Sequence, residues 1–229
     1  MTANSFKQNY LSQFINTLKF WYVQRIKGFV VPQEPHFDPL CLKFFIDKLQ
    51  SCNQYLEYGS GGSTFFAAKF GKNFVSIDSD KYFLNAVKKQ IAKNGLSDNS
   101  VQIFHHADIG LTKEWGQPVY MEKTKSRLKK WASYSDIPLV KGKHFVPDLI
   151  LIDGRFRVAC ALKSIKYLHD KVDYTILVDD YVGRAAYGEI ERFADLVQLE
   201  GRMAVFKQKA NIDFAELDKA IAKYEVEFS

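Results

Sequence analysis

Two groups of residues in this chain of 229 could do chemistry. The first is the run Glu57-Tyr58-Gly59-Ser60-Gly61-Gly62-Ser63-Thr64. Glycines let a backbone approach a ligand closely, and a helix opening at such a loop aims its first N–H groups at negative charge. The second is a series of carboxylates placed just after apolar stretches: Asp78, Asp108, Asp153 and the pair Asp179-Asp180. A carboxylate can accept two hydroxyl hydrogen bonds. Three converging carboxylates repel one another unless they are protonated or hold a cation, and oxygen-only ligands suit Mg²⁺ or Ca²⁺. Asp153 is followed by Arg155 and Arg157. Their planar forks suit an anionic ligand or, equally, an internal ion-pair network with the acids.

The elements that must hold these residues follow from periodicity. Tyr55-Leu56-Glu57 ends a first strand, and a helix is predicted from Ser63 to Phe70, so the glycine loop joins strand to helix. Strands at Asn73–Ile77, Val101–His105, Asp148–Asp153 and Tyr174–Val178 alternate with helices at Lys81–Asn94 and Arg157–Asp170. Leu149-Ile150-Leu151-Ile152 between two acids reads as a buried parallel strand. A helix near Arg184–Arg192, short strands around 195–199 and 202–207, and a helix over 213–224 close the chain. This alternation predicts an α/β fold, a Rossmann-like doubly wound and mostly parallel sheet of about seven strands with helices on both faces.

Two segments lie outside that pattern. Residues 1–50 read as an N-terminal helical extension and 51–229 as the nucleotide-binding domain. Within the extension an amphipathic helix spans 5–27. Leu11, Phe14, Ile15, Leu18, Trp21 and Tyr22 share one face, opposite Gln8, Ser12, Asn16, Lys19 and Arg25. That face is expected to pack on the domain or on a second subunit, giving a homodimer. Lys7, Lys19, Arg25 and Lys27 are too few to prefer a membrane surface. A second helix follows from Pro39, N-capped by Asp38. The other segment, 109–147, interrupts the alternation. Lys113, Lys123, Lys125, Arg127, Lys129, Lys130, Lys141 and Lys143 stand there against Glu114, Glu122 and Asp136, a local excess of +5. Its Trp115, Tyr120, Trp131 and Tyr134 argue for an ordered lid.

The ordered set resembles the class I S-adenosylmethionine-dependent methyltransferases. Glu57-x-Gly59-x-Gly61-Gly62-Ser63 is similar to their first motif, with Ser63 in place of the last glycine. The resemblance implies that Glu57, Gly59, Ser60, Gly61, Gly62, Ser63, Thr64, Asp78, Asp108 and Asp153 bind S-adenosylmethionine. Asp78 would hold the ribose and Asp108 the adenine amino group. Asp153, Asp179 and Asp180 resemble the Mg²⁺ ligands of catechol-type O-methyltransferases, but the lysine base of those enzymes is Phe156 here. Arg155 and Arg157 then become the candidate catalytic neighbours of Asp153. The implied acceptor is a hydroxyl of a small, anionic molecule or sugar. A nucleic-acid methyltransferase using the basic insertion is the alternative. A binding module without catalysis is a third.

Composition narrows the setting. The charge of +6 favours anionic partners without choosing among them. Cys41, Cys52 and Cys160 are odd in number and lack paired spacing, so neither a disulfide framework nor a zinc site is expected, and a cytoplasmic location is. No apolar run approaches the roughly 18 residues that cross a membrane. His36, His105, His106, His144 and His169 fall at no position expected beside the transferred methyl group.

Overall fold

The computed structural model describes residues 15–97, 101–140 and 143–228. A seven-stranded sheet is formed by β1 (Gln54–Tyr58), β2 (Asn73–Asp78), β3 (Gln102–His106), β6 (Leu149–Ile152), β7 (Thr175–Val178), β8 (Ala194–Glu200) and β9 (Met203–Gln208). Its spatial order is β3-β2-β1-β6-β7-β9-β8. The first five strands are parallel, while β9 runs antiparallel to both β7 and β8. Residues 139–140 and 143–144 make a separate two-stranded hairpin, β4 and β5.

Strand alternation sends successive side chains to opposite faces. Ile150 and Ile152 of β6 enter one core layer, and Leu149 and Leu151 enter the other. The first layer is closed by α6 (Arg157–Leu168), α7 (Phe214–Tyr224) and α5 (Lys125–Tyr134). The second is closed by α2 (Pro39–Ser51), α3 (Gly62–Lys69) and α4 (Lys81–Lys93). This is the expected α/β architecture. β1 sits centrally, and the chain moves outward to β2 and β3 on one side and to β6 and β7 on the other. The crevice at such a reversal, beyond the carboxyl ends of the strands, is where open α/β sheets bind ligands. The glycine loop and Asp153 leave the two strands that flank it.

Local signals account for the helix starts. Asp38 accepts hydrogen bonds from the backbone N–H of Leu40 and Cys41 with Pro39 at the first helical position. Asp80 caps α4 through Tyr82 and Phe83, and Asp213 caps α7 through Ala215 and Glu216. The segment Ala185–Arg192 is helical but of the tighter 3₁₀ form.

The structure departs from expectation in both outlying segments. α1 is helical over 15–22 and ends in a π-helical turn, Val23–Lys27. Lys7, Gln8, Leu11, Ser12 and Phe14 lie outside the described residues. Ile15, Leu18 and Tyr22 of the apolar stripe are exposed on this chain and do not pack on the domain. The contact with the body is made by Trp21, whose Nε1 donates to the Thr112 carbonyl oxygen at 3.1 Å, and by buried Gln24. Gln24 bonds Asp80 at 2.7 Å, so a buried polar pair joins Trp21 of the apolar stripe at the docked face.

The insertion is ordered, and much of it belongs to the core. α5 starts at the Thr124 cap and buries Trp131 and Tyr134 completely or nearly so. Trp131 meets Phe228 edge to face, with ring centroids 4.9 Å apart. Only Trp115 and Tyr120 of the four aromatics remain exposed. Three of its cations are paired: Lys123 with Glu227, Arg127 with Glu122 and Lys130 with Asp108. Lys141 and the Lys143 side chain lie outside the described residues.

Candidate functional site

The glycine loop turns directly off β1. Gly59 has φ +101°, and a Cβ there would stand 2.7 Å from the Gly154 nitrogen and 2.9 Å from the Asp153 carbonyl carbon. Both the conformation and the approach of the β1 and β6 ends therefore demand glycine. Gly62 is packed against the Glu34–Pro35 backbone just as tightly. At Gly61, by contrast, a Cβ would meet no protein atom within 4 Å, so the loop is open at that point.

Glu57 shapes the loop from beneath. It is wholly buried. It accepts hydrogen bonds from Tyr55 at 2.9 Å, from Ser63 at 2.7 Å and from Thr64. Burial pushes its pKa up, and the hydroxyl donors around it oppose that rise. Ser63 and Thr64 thus spend their hydroxyls inward, and Thr64 also accepts from the Gly61 N–H at 2.9 Å. Ser60 bonds the Ser76 hydroxyl at 2.6 Å. The side chains of this motif hold the backbone in place.

Asp78, at the end of β2, lies 18 residues along the chain from Ser60 and is tied to it. Its Oδ2 accepts from the Ser60 N–H at 2.9 Å, and its Oδ1 accepts from the Asp80 N–H at 2.7 Å. Each carboxylate oxygen has a second lone pair, so the group retains acceptor capacity for two hydroxyls. Burial pushes its pKa up to about 7, against the two backbone donors that lower it. Asp108 is exposed and bonded to Lys130 at 2.6 Å, which holds its carboxyl below the usual range. The turn Glu114–Gly116 closes over this end: the Ser79 hydroxyl donates to the Gly116 carbonyl oxygen at 3.1 Å. Trp115 in that turn is exposed and adopts φ +63°.

At the ends of β6 and β7 the three remaining acids meet. Asp153, Asp179 and Asp180 each offer a carboxylate oxygen within 4.8 Å of the others. Arg157, only 3% exposed, reaches the carboxylates of Asp153 and Asp180 and the main-chain carbonyl of Asp179. Its Nη2 lies 3.0 Å from Asp153 Oδ1 and 3.3 Å from Asp180 Oδ2. Its Nε donates to the Gly154 carbonyl at 3.1 Å, and its Nη1 to that of Asp179. Arg202 forms a two-pronged pair with Asp179, at 3.0 and 2.9 Å, and approaches Asp180 at 3.1 Å. Arg184 adds a third contact to Asp180 at 3.2 Å. Arg202 and Arg184 escape a reading by spacing. Arg202 arrives only because β9 pairs antiparallel with β7, setting Ala204 opposite Val178.

Asp153 pairs with Arg157 through Oδ1, and its carboxyl also meets that of Asp179. Burial raises its pKa to about 7, Arg157 pulls it down, and Asp179 and Asp180 push it up again. Phe156, at the position of the catechol-type lysine, is fully buried among Tyr134 and Phe228 and adopts φ +52°. A side chain there points to the core. Tyr134, from the insertion, accepts from the Arg155 N–H at 3.2 Å. The Arg155 guanidinium has no ion pair among the described residues, and its buried Nε has no hydrogen-bond partner. Burial and the neighbouring Arg157 push its pKa down.

No protein-family model and no curated protein matches this chain. Solved structures do. A methyltransferase-like protein from Silicibacter pomeroyi is 28% identical with a TM-score of 0.70, covering 83% of this chain and 99% of its own. An O-methyltransferase from Bacillus cereus in complex with SAH is 16% identical with a TM-score of 0.48, over 85% of this chain and 99% of its own. The sheet order, the glycine loop off the central strand and the likeness to the methyltransferase-like protein over 83% of this chain agree: the chain has the Rossmann-like fold of the class I S-adenosylmethionine-dependent methyltransferases.

Proposed function

We propose that the chain transfers a methyl group from S-adenosylmethionine to a hydroxyl of a small anionic acceptor. The observation that carries this reading is Arg155. A half-buried guanidinium without a carboxylate is costly, and an acceptor's carboxylate or phosphate would relieve that cost. Two residues away stands Asp153, whose pKa of about 7 suits a base working near neutrality.

In this reading the ribose hydroxyls meet the spare lone pairs of Asp78. The methionine end lies against the open backbone at Gly61, and the adenine lies toward Asp108. The acceptor sits between Asp153 and Arg155, in line with the sulfonium methyl group. Its oxygen attacks the methyl carbon, an O–C bond forms as the C–S bond breaks, and the hydroxyl proton passes to Asp153 and on to solvent. The donor leaves as the neutral thioether. Positioning supplies much of the rate, because attack must be collinear with the breaking bond.

The nucleic-acid alternative rested on the basic insertion, and three of that segment's cations are paired with carboxylates of this chain. Calorimetric titration with S-adenosylmethionine and S-adenosylhomocysteine tests the donor site; absence of binding by both sinks the reading. Release of S-adenosylhomocysteine is then followed with hydroxycarboxylates and phosphorylated alcohols as acceptors. Turnover limited to uncharged or nucleic-acid acceptors would remove the role given to Arg155.

A further inference from the structure

The acidic cluster at the β6 and β7 ends has the ligand types of a divalent-metal site, and its geometry is that of a site already filled by protein. Three carboxylates face three guanidiniums, those of Arg157, Arg184 and Arg202, so the charges balance without an added ion. Asp179 has both oxygens committed to Arg202. The space between Asp153 and Asp180 is entered by Arg157 Nη2, at 3.0 and 3.3 Å from their oxygens. Mg²⁺ would require oxygens at about 2.1 Å from a common centre, with the arginine's protons removed from that centre. Arg157 cannot retire to make room. It is 3% exposed, and the carbonyls of Gly154, Asp179 and Asp153 hold its three nitrogens from behind. The residues present therefore do not fit a divalent ion.

We propose that the Arg157 guanidinium is the resident cation of the Asp153–Asp179–Asp180 cluster, closing it to divalent metal and holding Asp153 in place through Oδ1. An ammonium or a metal ion would neutralise the same acids. Only a planar fork also reaches the carbonyls that lock it in place. Arg157 is then a positioning residue, and the assignment does not depend on which acceptor is methylated.

The test uses Mn²⁺ alone, titrated into the full chain and followed by the loss of the free-ion paramagnetic resonance signal. The wild type is expected to bind no Mn²⁺ at millimolar concentrations. Arg157→Met is expected to gain Mn²⁺ affinity by about tenfold or more, since Asp153 and Asp180 lose the countercharge they share. Arg157→Lys, which keeps the charge, shows whether any such gain comes from the missing charge alone. Stoichiometric Mn²⁺ binding by the wild type, lost in Asp179→Asn, overturns the proposal, and this outcome is readable even where Arg157→Met fails to fold. A folded Arg157→Met with no gain in affinity overturns it as well.

Discussion

The donor site makes its sharpest quantitative prediction through Asp78. Its carboxyl titrates near pH 7 because it is buried, and both oxygens already accept one backbone N–H each. In the free protein the raised pKa means that the fold binds more protons than the unfolded chain between about pH 4 and pH 7. The contribution of this group to stability is accordingly greatest in acid and falls as pH rises through that window. Ribose hydroxyls donate to the carboxylate and oppose protonation, so donor binding releases a proton. If only the ionised form binds, about 1% of the protein is competent two pH units below the pKa, and the Kd for S-adenosylhomocysteine weakens roughly a hundredfold between the plateau above pH 8 and pH 5, or about 2.7 kcal/mol. Calorimetry across pH 5–8 in buffers of different ionisation enthalpy reads both the affinity and the proton release. Asp153 titrates in the same range, so the control is Asp78→Asn. That variant loses charge-assisted bonds worth about 1.5–3 kcal/mol each and sets an amide N–H₂ against the N–H of Ser60 or Asp80. Its affinity is expected to be weak and nearly independent of pH. A wild-type Kd that is flat across the range, or a slope that survives in Asp78→Asn, refutes the assignment of the ribose to this group.

Three further outcomes follow from the same geometry. Arg155→Met is expected to leave the melting temperature unchanged or higher, because it removes an unpaired buried Nε, while lowering kcat/KM for an anionic acceptor about tenfold to a hundredfold; a clear loss of stability would show that the guanidinium serves the fold. Gly59→Ala and Gly61→Ala should separate in opposite directions. The first meets the Gly154 backbone at φ +101° and loses about 2 kcal/mol or more in denaturant unfolding, whereas the second costs the fold little and weakens S-adenosylhomocysteine binding. Equal effects on stability would contradict the open face at Gly61. With Asp153 as base, single-turnover methyl transfer at saturating donor rises with pH to a plateau above about 7, and Asp153→Asn lowers it about a hundredfold or more; an unchanged rate in the variant removes the base.

The sequence by itself determined the architecture and which carboxylates stand at one edge of the sheet. Strand and helix differ in hydrophobic period, so the alternation from Tyr55 to Val178 was legible without any tertiary contact. Asp38 and Asp80 announce helix starts by local chemistry, and the glycine loop is read from its place between a strand and a helix. Asp78, Asp153 and Asp179 are legible because parallel strands deliver the residues after their carboxyl ends to one edge of the sheet.

Arg157 beside Asp153 is readable from spacing, but the other partners of those acids were decided only by tertiary structure. Arg202 lies 23 residues beyond Asp179 on a strand whose antiparallel return brings it back, and no period in the sequence encodes that return. Tyr134 reaches Arg155 only because α5 sinks Trp131 into the core, turning a segment that reads as a basic lid into part of the wall. The exposed stripe of α1 shows the same limit from the other side. Periodicity finds an apolar face, and Trp21 of that face docks, but the buried bonds of Gln24 to Asp80 and Thr112 beside it are not encoded in the period. The physical reason is common to all three. Local chemistry sets the conformation of a segment, whereas the charge state and partners of the site depend on which distant segments the closed sheet places against it. Of the two readings the sequence leaves open for this cluster, a cation site or an ion-pair network, the folded chain supplies the arginine partners of the second.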